Sequence, residues 1–519
     1  MKGTAIVGIL LCLLTSAVQA NTISSDVTGT SSQKPSSPLG QLPAVPTANG
    51  FGVYTRPAQD ADIYRVTNLE SRGPGSLENC INGKGKRVCV FEVAGRIDYG
   101  TANFNINNDD VHIAGQTAPF PGIVVQSPRN IVSADNVVIE HIRFMSNDKH
   151  TNQNLNSSKG YDTRDTLAIE NANNVFLNHV TLTFGIDGTL DVSRKVDNLT
   201  VRNSIIALGL NYSIHAVRGK WKNLNAHAFL SLIGHQTINV DITRSIIAYG
   251  EGRIPRSGAK NFYYAENVNF GTQRDRFVDL YTRNGTGFNT DINVNILGNV
   301  FITDRESQNT VELRPGSNGT VNMHYKKNAL LLKNGETKQL PEASSTIKTD
   351  LSEGEYMLKN TPIASAIPYG VSVPSKPVTE NEVLSLAGAF PAHRIPLEKE
   401  IISNIKSRSG EIINCYTETG DTRFQIVLAG GPGYPEPDAP SAKDRCKLTE
   451  KGWPGWRKWL LSTSVITRRS LDDKLPNEPN AILPSGYTRL EAFLHACSRK
   501  VELNQGECNA SQIDEKGQG

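Results

Sequence analysis

Asparagine returns at the entry to one short β-rich run after another. Asn136, Asn174, Asn198, Asn239 and Asn293 stand at or near the starts of N-V-V-I-E-H-I-R-F, N-V-F-L-N-H-V-T-L, N-L-T-V-R-N-S-I-I, I-N-V-D-I-T-R-S-I-I and I-N-V-N-I-L-G-N-V-F. Residues alternate within each run, so one face points inward. The step from Asn174 to Asn198 is 24 residues, the length of one solenoid coil. The steps from Asn136 to Asn174 and from Asn198 to Asn239 are longer, as inserted loops would make them. A repeat of about 20–50 residues built of β-rich runs predicts a parallel β-helix, in which each coil buries its inner side chains against its neighbours. Polar Asn can then ladder at the turns. A β-sandwich would need turn pairs every ~8–12 residues, and these are scarce. Inserts on a solenoid gather on one side, where they can wall a groove.

The chemistry concentrates in residues 165–256. Asp165 stands in D-T-L-A-I; Asn178, His179, Asp187 and Asp191 stand in N-H-V-T-L-T-F-G-I-D-G-T-L-D-V; Arg253, Pro255 and Arg256 stand in G-E-G-R-I-P-R. Carboxylates, short apolar strands and a paired-arginine turn follow in that order. The order suggests a cation-bridged site for an acidic substrate. Asp is also a common turn residue, so each carboxylate taken alone reads equally well as a turn cap. His179 reads as a packed or turn-bonded histidine. His215, His227 and His235 are candidates to line the groove, at spacings that match no zinc motif. Tyr263 and Tyr264 read as sugar-facing aromatics or as plain strand residues.

The remaining sequence bounds the setting. Residues 1–20 carry Lys2, an apolar run from Ile6 to Leu14, and small Val18 and Ala20, the pattern of a secretory signal cut after Ala20. The run is short for a membrane span and is interrupted by Ser16 and Gln19. Removal of the signal takes Cys12 and leaves Cys80, Cys89, Cys415, Cys446, Cys497 and Cys508. An even set in an exported protein predicts disulfides. Cys80 and Cys89 flank a plausible hairpin closure, and the other four are expected to pair among themselves. Residues 21–47 form a Ser/Thr/Pro/Gly-rich linker, 48–400 the β-helix with its flank, and 401–519 a tail with short helices. A formal charge of +3 is too slight to argue for nucleic acid. No membrane span is expected after the signal, and a monomer in the extracellular or periplasmic space is the simplest form.

Several segments together resemble the pectate lyase superfamily, and more narrowly the bacterial pectate lyases of polysaccharide lyase family 1. They are N-L-E-S-R-G-P-G-S-L-E, V-H-I-A-G-Q-T-A-P-F-P-G-I, N-V-V-I-E-H-I-R-F, D-T-L-A-I, the N-H-V-T-L run, H-A-F-L-S-L-I-G and R-I-P-R. The match covers about residues 50–330 and extends weakly to the tail. The resemblance implies a right-handed parallel β-helix and calcium-dependent β-elimination of de-esterified pectin. By position, Asp165, Asp187 and Asp191 match calcium-binding carboxylates, and Arg253 matches the arginine at the proton-abstraction step. His227 fits the H-S-Y-G-S-L variant of some bacterial members. The sequence departs from the family pattern at Thr163, Asn178, Phe229 and Gly258, where an acidic residue, Asp, Lys and Arg are often found.

That chemistry suits these residue types. The proton on carbon-5 of a uronate is very weakly acidic, and a cation shared between substrate and protein carboxylates helps its loss. Calcium takes several oxygen ligands. Arg256 and Lys260 are candidates to pair with substrate carboxylates, Arg in bidentate fashion. Free guanidinium titrates above about pH 12, so Arg253 acts either as a desolvated base or as an electrostatic clamp. Two other readings stay open: a polygalacturonase-type hydrolase, whose N-T-D, D-D and G-H-G set is not found in order, and a non-catalytic polysaccharide-binding β-helix.

Overall fold

The structure is a computed structural model that describes residues 41–146, 164–211, 227–234, 236–272, 276–283, 285, 287–303, 309–316, 318–332, 334–339, 347–349, 354–410, 412–413, 467–472, 474–506 and 508. Its strands fall into three long sheets, and successive strands of the chain visit them in rotation. One coil shows the rule. Strand Asn173–Asn178 belongs to the first sheet, Thr181–Thr183 to the third and Gly188–Ser193 to the second, after which Asp197–Arg202 returns to the first. Asn173–Asn178 and Asp197–Arg202 lie side by side, parallel, with Val175 opposite Leu199 and Leu177 opposite Val201. The same parallel step recurs along all three sheets, which makes the chain a parallel β-helix as the period predicted.

Alternation fills the interior. Val175, Leu177, Leu182, Leu190, Val192, Leu199 and Val201 are fully buried in one continuous core. Each such side chain stabilises the fold by about 1.5–3 kcal/mol relative to exposure. That outweighs the cost of the turns, several of which need left-handed backbone: Asn136, Asn174 and Asn198 have φ of 58°, 56° and 57°. Asn tolerates this conformation better than most residues.

The asparagines do ladder. The Nδ2 of Asn136 donates to Asp110, Asn174 to Asn136, Asn198 to Asn174, Asn239 to Asn198, Asn261 to Asn239 and Asn293 to Asn261, at 2.8–3.2 Å. Asn261 is the rung missing from the sequence reading, so the long step from Asn239 to Asn293 holds two coils. A second ladder runs through Asn267, Asn299 and Asn328 at another corner.

Segments after the last coils pack back onto the outside of the solenoid. Helices Glu380–Leu386 and Pro396–Lys406 cover the third sheet, placing Val383, Leu384, Leu397, Ile401 and Ile405 against Ile205, Ile246, Val268 and Phe270. Helix Arg489–Leu503 opens with a capping box between Thr488 and Glu491 and ends on Asn504 in left-handed geometry. It lays Leu490, Phe493 and Leu494 on Val88, Val90 and Ala114 of the earliest coils. Strand Thr467–Arg468 pairs antiparallel with Val93 and Ala94. The cysteine-containing tail is therefore bound to the start of the β-helix. Cys80–Cys89 and Cys497–Cys508 are disulfides; Cys415 and Cys446 lie outside the described residues, as do residues 1–20, read above as a signal, and Thr163. Among the described residues no helix is long and apolar enough to cross a membrane.

Candidate active site

The second sheet carries the candidate residues on its outward face. The register places Ala168, Asp191, Leu232, Arg256, Asp279 and Glu312 opposite one another on consecutive strands. Leu190 and Val192 point into the core, so Asp191 between them must point out. Asp165 precedes strand Leu167–Glu170, and Asp187 precedes strand Gly188–Ser193. Adjacent coils thus bring the three carboxylates together at one end of the sheet.

Asp165 is buried, and its Oδ1 accepts the Gly188 amide at 2.9 Å. Burial drives its pKa well above the usual carboxylate range, and the charges of Asp191 and Asp187 add to the rise. Asp191 is raised too, first by burial and also by Asp187, although its Oδ1 accepts the Ser193 hydroxyl at 2.9 Å. Asp187 Oδ1 lies 2.7 Å from Nε2 of His227. Burial and the charge of Asp187 hold back the ionisation of Asp165 and Asp191, which a cation would relieve, and all the donors are hard oxygens. The residues present therefore fit calcium.

Arginines lie beside this cluster and further along the same sheet. Arg253 has φ of 57° and is pinned on both sides by backbone, its carbonyl accepting from Ser231 at 2.9 Å and the next amide donating to Phe277 at 3.2 Å. Its guanidinium carbon sits 4.2 Å from the centre of the Phe229 ring, and its charge acts on Asp191. Arg256 lies 3.7 Å from Asp279 and stacks on Tyr281 at 4.4 Å. Burial lowers its pKa. Arg129, not singled out from sequence, lies 3.7 Å from both Asp165 and Glu170. Arg314 and Asp279 were also missed; they form a two-point pair, with Arg314 Nε at 3.0 Å from Asp279 Oδ1.

Asp165, Asp187, Asp191, His227, Arg253 and Arg256 all lie on or beside this sheet. Lys260 stands apart, exposed in the turn that leads to strand Asn261–Ala265. Tyr263 and Tyr264 are strand residues: Tyr264 is in the core, and Tyr263 is buried against Phe51. His179 is buried and turn-bonded, its Nδ1 lying 3.2 Å from the Gly388 carbonyl. His215 and His235 lie outside the described residues. Phe229, where a lysine is often found in the family resembled, is the ring under Arg253.

No protein-family model matches the chain. In sequence it is similar to the probable pectate lyase C of Aspergillus flavus, 28% identical over 279 residues, which is 53% of this chain and 58% of that protein. The corresponding protein of Emericella nidulans is 34% identical over 171 residues, 33% of this chain and 37% of its own. That of Neosartorya fischeri is 25% identical over 457 residues, 88% and 94% of the two chains. The chain thus spans under two thirds of the Aspergillus flavus protein that it matches. Among solved structures, the thermostable pectate lyase PL 47 aligns with a TM-score of 0.43 and 13% identity, over 66% of this chain and 96% of its own. A mutant pectate lyase of Bacillus subtilis aligns with a TM-score of 0.42 and 13% identity, over 68% and 99%. Taken with the motifs in their order, the curated relatives make this a chain that resembles the pectate lyase superfamily.

Proposed function

We propose that the protein is an exported polysaccharide lyase that cleaves pectate, or a closely related polyuronate, by calcium-assisted β-elimination. The observation that carries this reading is the outward cluster of Asp165, Asp187 and Asp191 with Arg253 beside it. The names of the sequence relatives point the same way.

Asp165, Asp187 and Asp191 would hold the ion. Calcium bound there supplies positive charge at the substrate carboxylate, which makes the neighbouring carbon-5 proton easier to remove. The protein's own groups do the rest. Arg256, kept in place by Asp279 and Tyr281, offers a planar fork to a uronate carboxylate. Arg253, fixed by its backbone bonds and the Phe229 ring, stands at the proton-abstraction step. His227 orients Asp187. Hydroxide from solvent, held beside the Arg253 guanidinium, takes the carbon-5 proton and becomes water, and the electrons of that bond form the carbon-4 to carbon-5 double bond. The bond from carbon-4 to the glycosidic oxygen then breaks, and the departing oxygen takes a proton from solvent.

The test is the mass of the products from polygalacturonate. Elimination gives fragments whose new non-reducing ends are lighter by one water than those of hydrolysis. Unsaturated ends support the lyase reading; saturated ends on every fragment select a hydrolase. Tight binding without fragments selects a polysaccharide-binding role.

A further inference from the structure

Away from the aspartate cluster, two consecutive coils carry histidine at the same corner. His141 follows Glu140 and His179 follows Asn178, and Glu140 and Asn178 are register partners. Both histidines have left-handed backbone, φ 56° and 52°. Their rings stack with centroids 4.7 Å apart, and both residues are fully buried. The Nδ1 atoms face successive backbone carbonyls, His141 that of Ala389 at 2.6 Å and His179 that of Gly388 at 3.2 Å. A carbonyl only accepts, so each Nδ1 carries its proton. That arrangement aims both Nε2 atoms the same way, and it is the one that fixes metal-binding imidazoles.

What they face is helix Arg489–Leu503. Glu502 Oε1 lies 3.2 Å from Nε2 of His179, and Ser498 Oγ lies 2.7 Å from Nε2 of His141. One donor atom from each of His141, His179 and Glu502 falls within 4.8 Å of the others. The His179 Nε2 is fully buried with the Glu502 carboxylate as its neighbour, and Ser498 Oγ donates to the same Oε1 at 3.2 Å. The second carboxylate oxygen of Glu502 accepts from Arg499 at 2.9 Å, which steers the first toward the histidines. A cavity of about 150 Å³ adjoins the group, lined in part by Asn178, His179, Arg202, His495 and Glu502. Arg202 and Arg499 oppose a cation here, and Glu140 and Glu502 favour one.

We propose that His141, His179 and Glu502 bind one divalent transition-metal ion of the zinc class, clamping the C-terminal helix onto the corner of the β-helix. Two imidazoles and one carboxylate form a three-ligand set that leaves a further position for water from the cavity. The oxygen-only aspartate cluster would select a different ion.

The test is cobalt binding by the full mature chain after chelator treatment, followed by visible absorption and by dialysis. The wild type is expected to bind one equivalent with the bands of imidazole-ligated cobalt, and zinc to displace it. Glu502→Gln and His179→Asn should each weaken binding by at least about tenfold, while Asp191→Asn leaves it in place. Absence of cobalt binding by the folded wild type would overturn the proposal, without recourse to any variant. So would binding that survives Glu502→Gln and disappears with Asp191→Asn.

Discussion

The carboxylate of Asp165 accepts the backbone amide of Gly188 at 2.9 Å. This bond ties the first candidate ligand to the strand that carries Asp191, one coil further on. A Cβ on Gly188 would stand 2.8 Å from Asp165 Oδ1. Gly188→Ala is therefore expected to push the carboxylate out of position, costing about 1–3 kcal/mol of stability by overpacking and weakening calcium binding. Calorimetric titration with calcium, beside a urea unfolding curve, measures both. An unchanged calcium affinity would mean that Asp165 is not a ligand.

Asp241 gives a pH dependence of stability. Its Oδ1 accepts from Phe51 N and Thr200 Oγ1, each at 2.7 Å, whereas its Oδ2 is buried without a partner. Burial pushes its pKa up to about 7. In the folded protein the group stays protonated where the unfolded chain has already lost its proton, so this residue's contribution falls as pH rises from about 4 to 7. Asp241→Asn keeps the oxygen that accepts both bonds and removes the titration. Relative to wild type it should gain up to about 4 kcal/mol between pH ~4 and pH ~8, from a shift of about three units. Urea unfolding of both proteins across that range is the check.

The ion pair of Arg143 and Glu398 is fully buried at 2.8 Å and holds helix Pro396–Lys406 on the solenoid. Glu398 also accepts from Thr181 at 2.6 Å. Arg143→Ala leaves that carboxylate buried without its charge partner and should cost about 3–5 kcal/mol. Replacing Arg143 and Glu398 together by apolar residues should cost much less. Thermal unfolding of the single and double variants separates the two cases.

Asn198 joins two ladder bonds and sits at φ 57°. Asn198→Ala loses the bonds and strains the turn. Asn198→Gly loses only the bonds. The difference between the two, expected near 1 kcal/mol in favour of glycine, measures the backbone share of the ladder's contribution.

These variants also mark what the sequence made legible. Asn174 and Asn198 are one uninterrupted coil apart, so their spacing exposes the solenoid. Asp191 and Arg253 stand in short motifs whose residue types announce their chemistry. Arg129, Asp279 and Arg314 do not. Asp279 and Arg314 reach the site through strand register, and Arg129 from the turn before strand Asn130–Val132; that register is set by coil lengths running from 22 to 41 residues between ladder asparagines. Asn261 was hidden because N-F-Y-Y-A reads first as an aromatic pair. The pairing of His141 and His179 with Glu502 joins residues more than three hundred positions apart, a distance that no local pattern spans.

The central claim is that the aspartate cluster and Arg253 act together in a calcium-dependent elimination. The most direct measurement is the ultraviolet absorbance of unsaturated products from polygalacturonate, at about pH 8.5 to favour the base that takes the carbon-5 proton, titrated with calcium in wild type and in Arg253→Ala. The account predicts a rise in wild type that depends on calcium and vanishes with chelator, and a flat trace in Arg253→Ala at every calcium concentration. An undiminished rise in the presence of chelator, or in the Arg253→Ala protein, would contradict it.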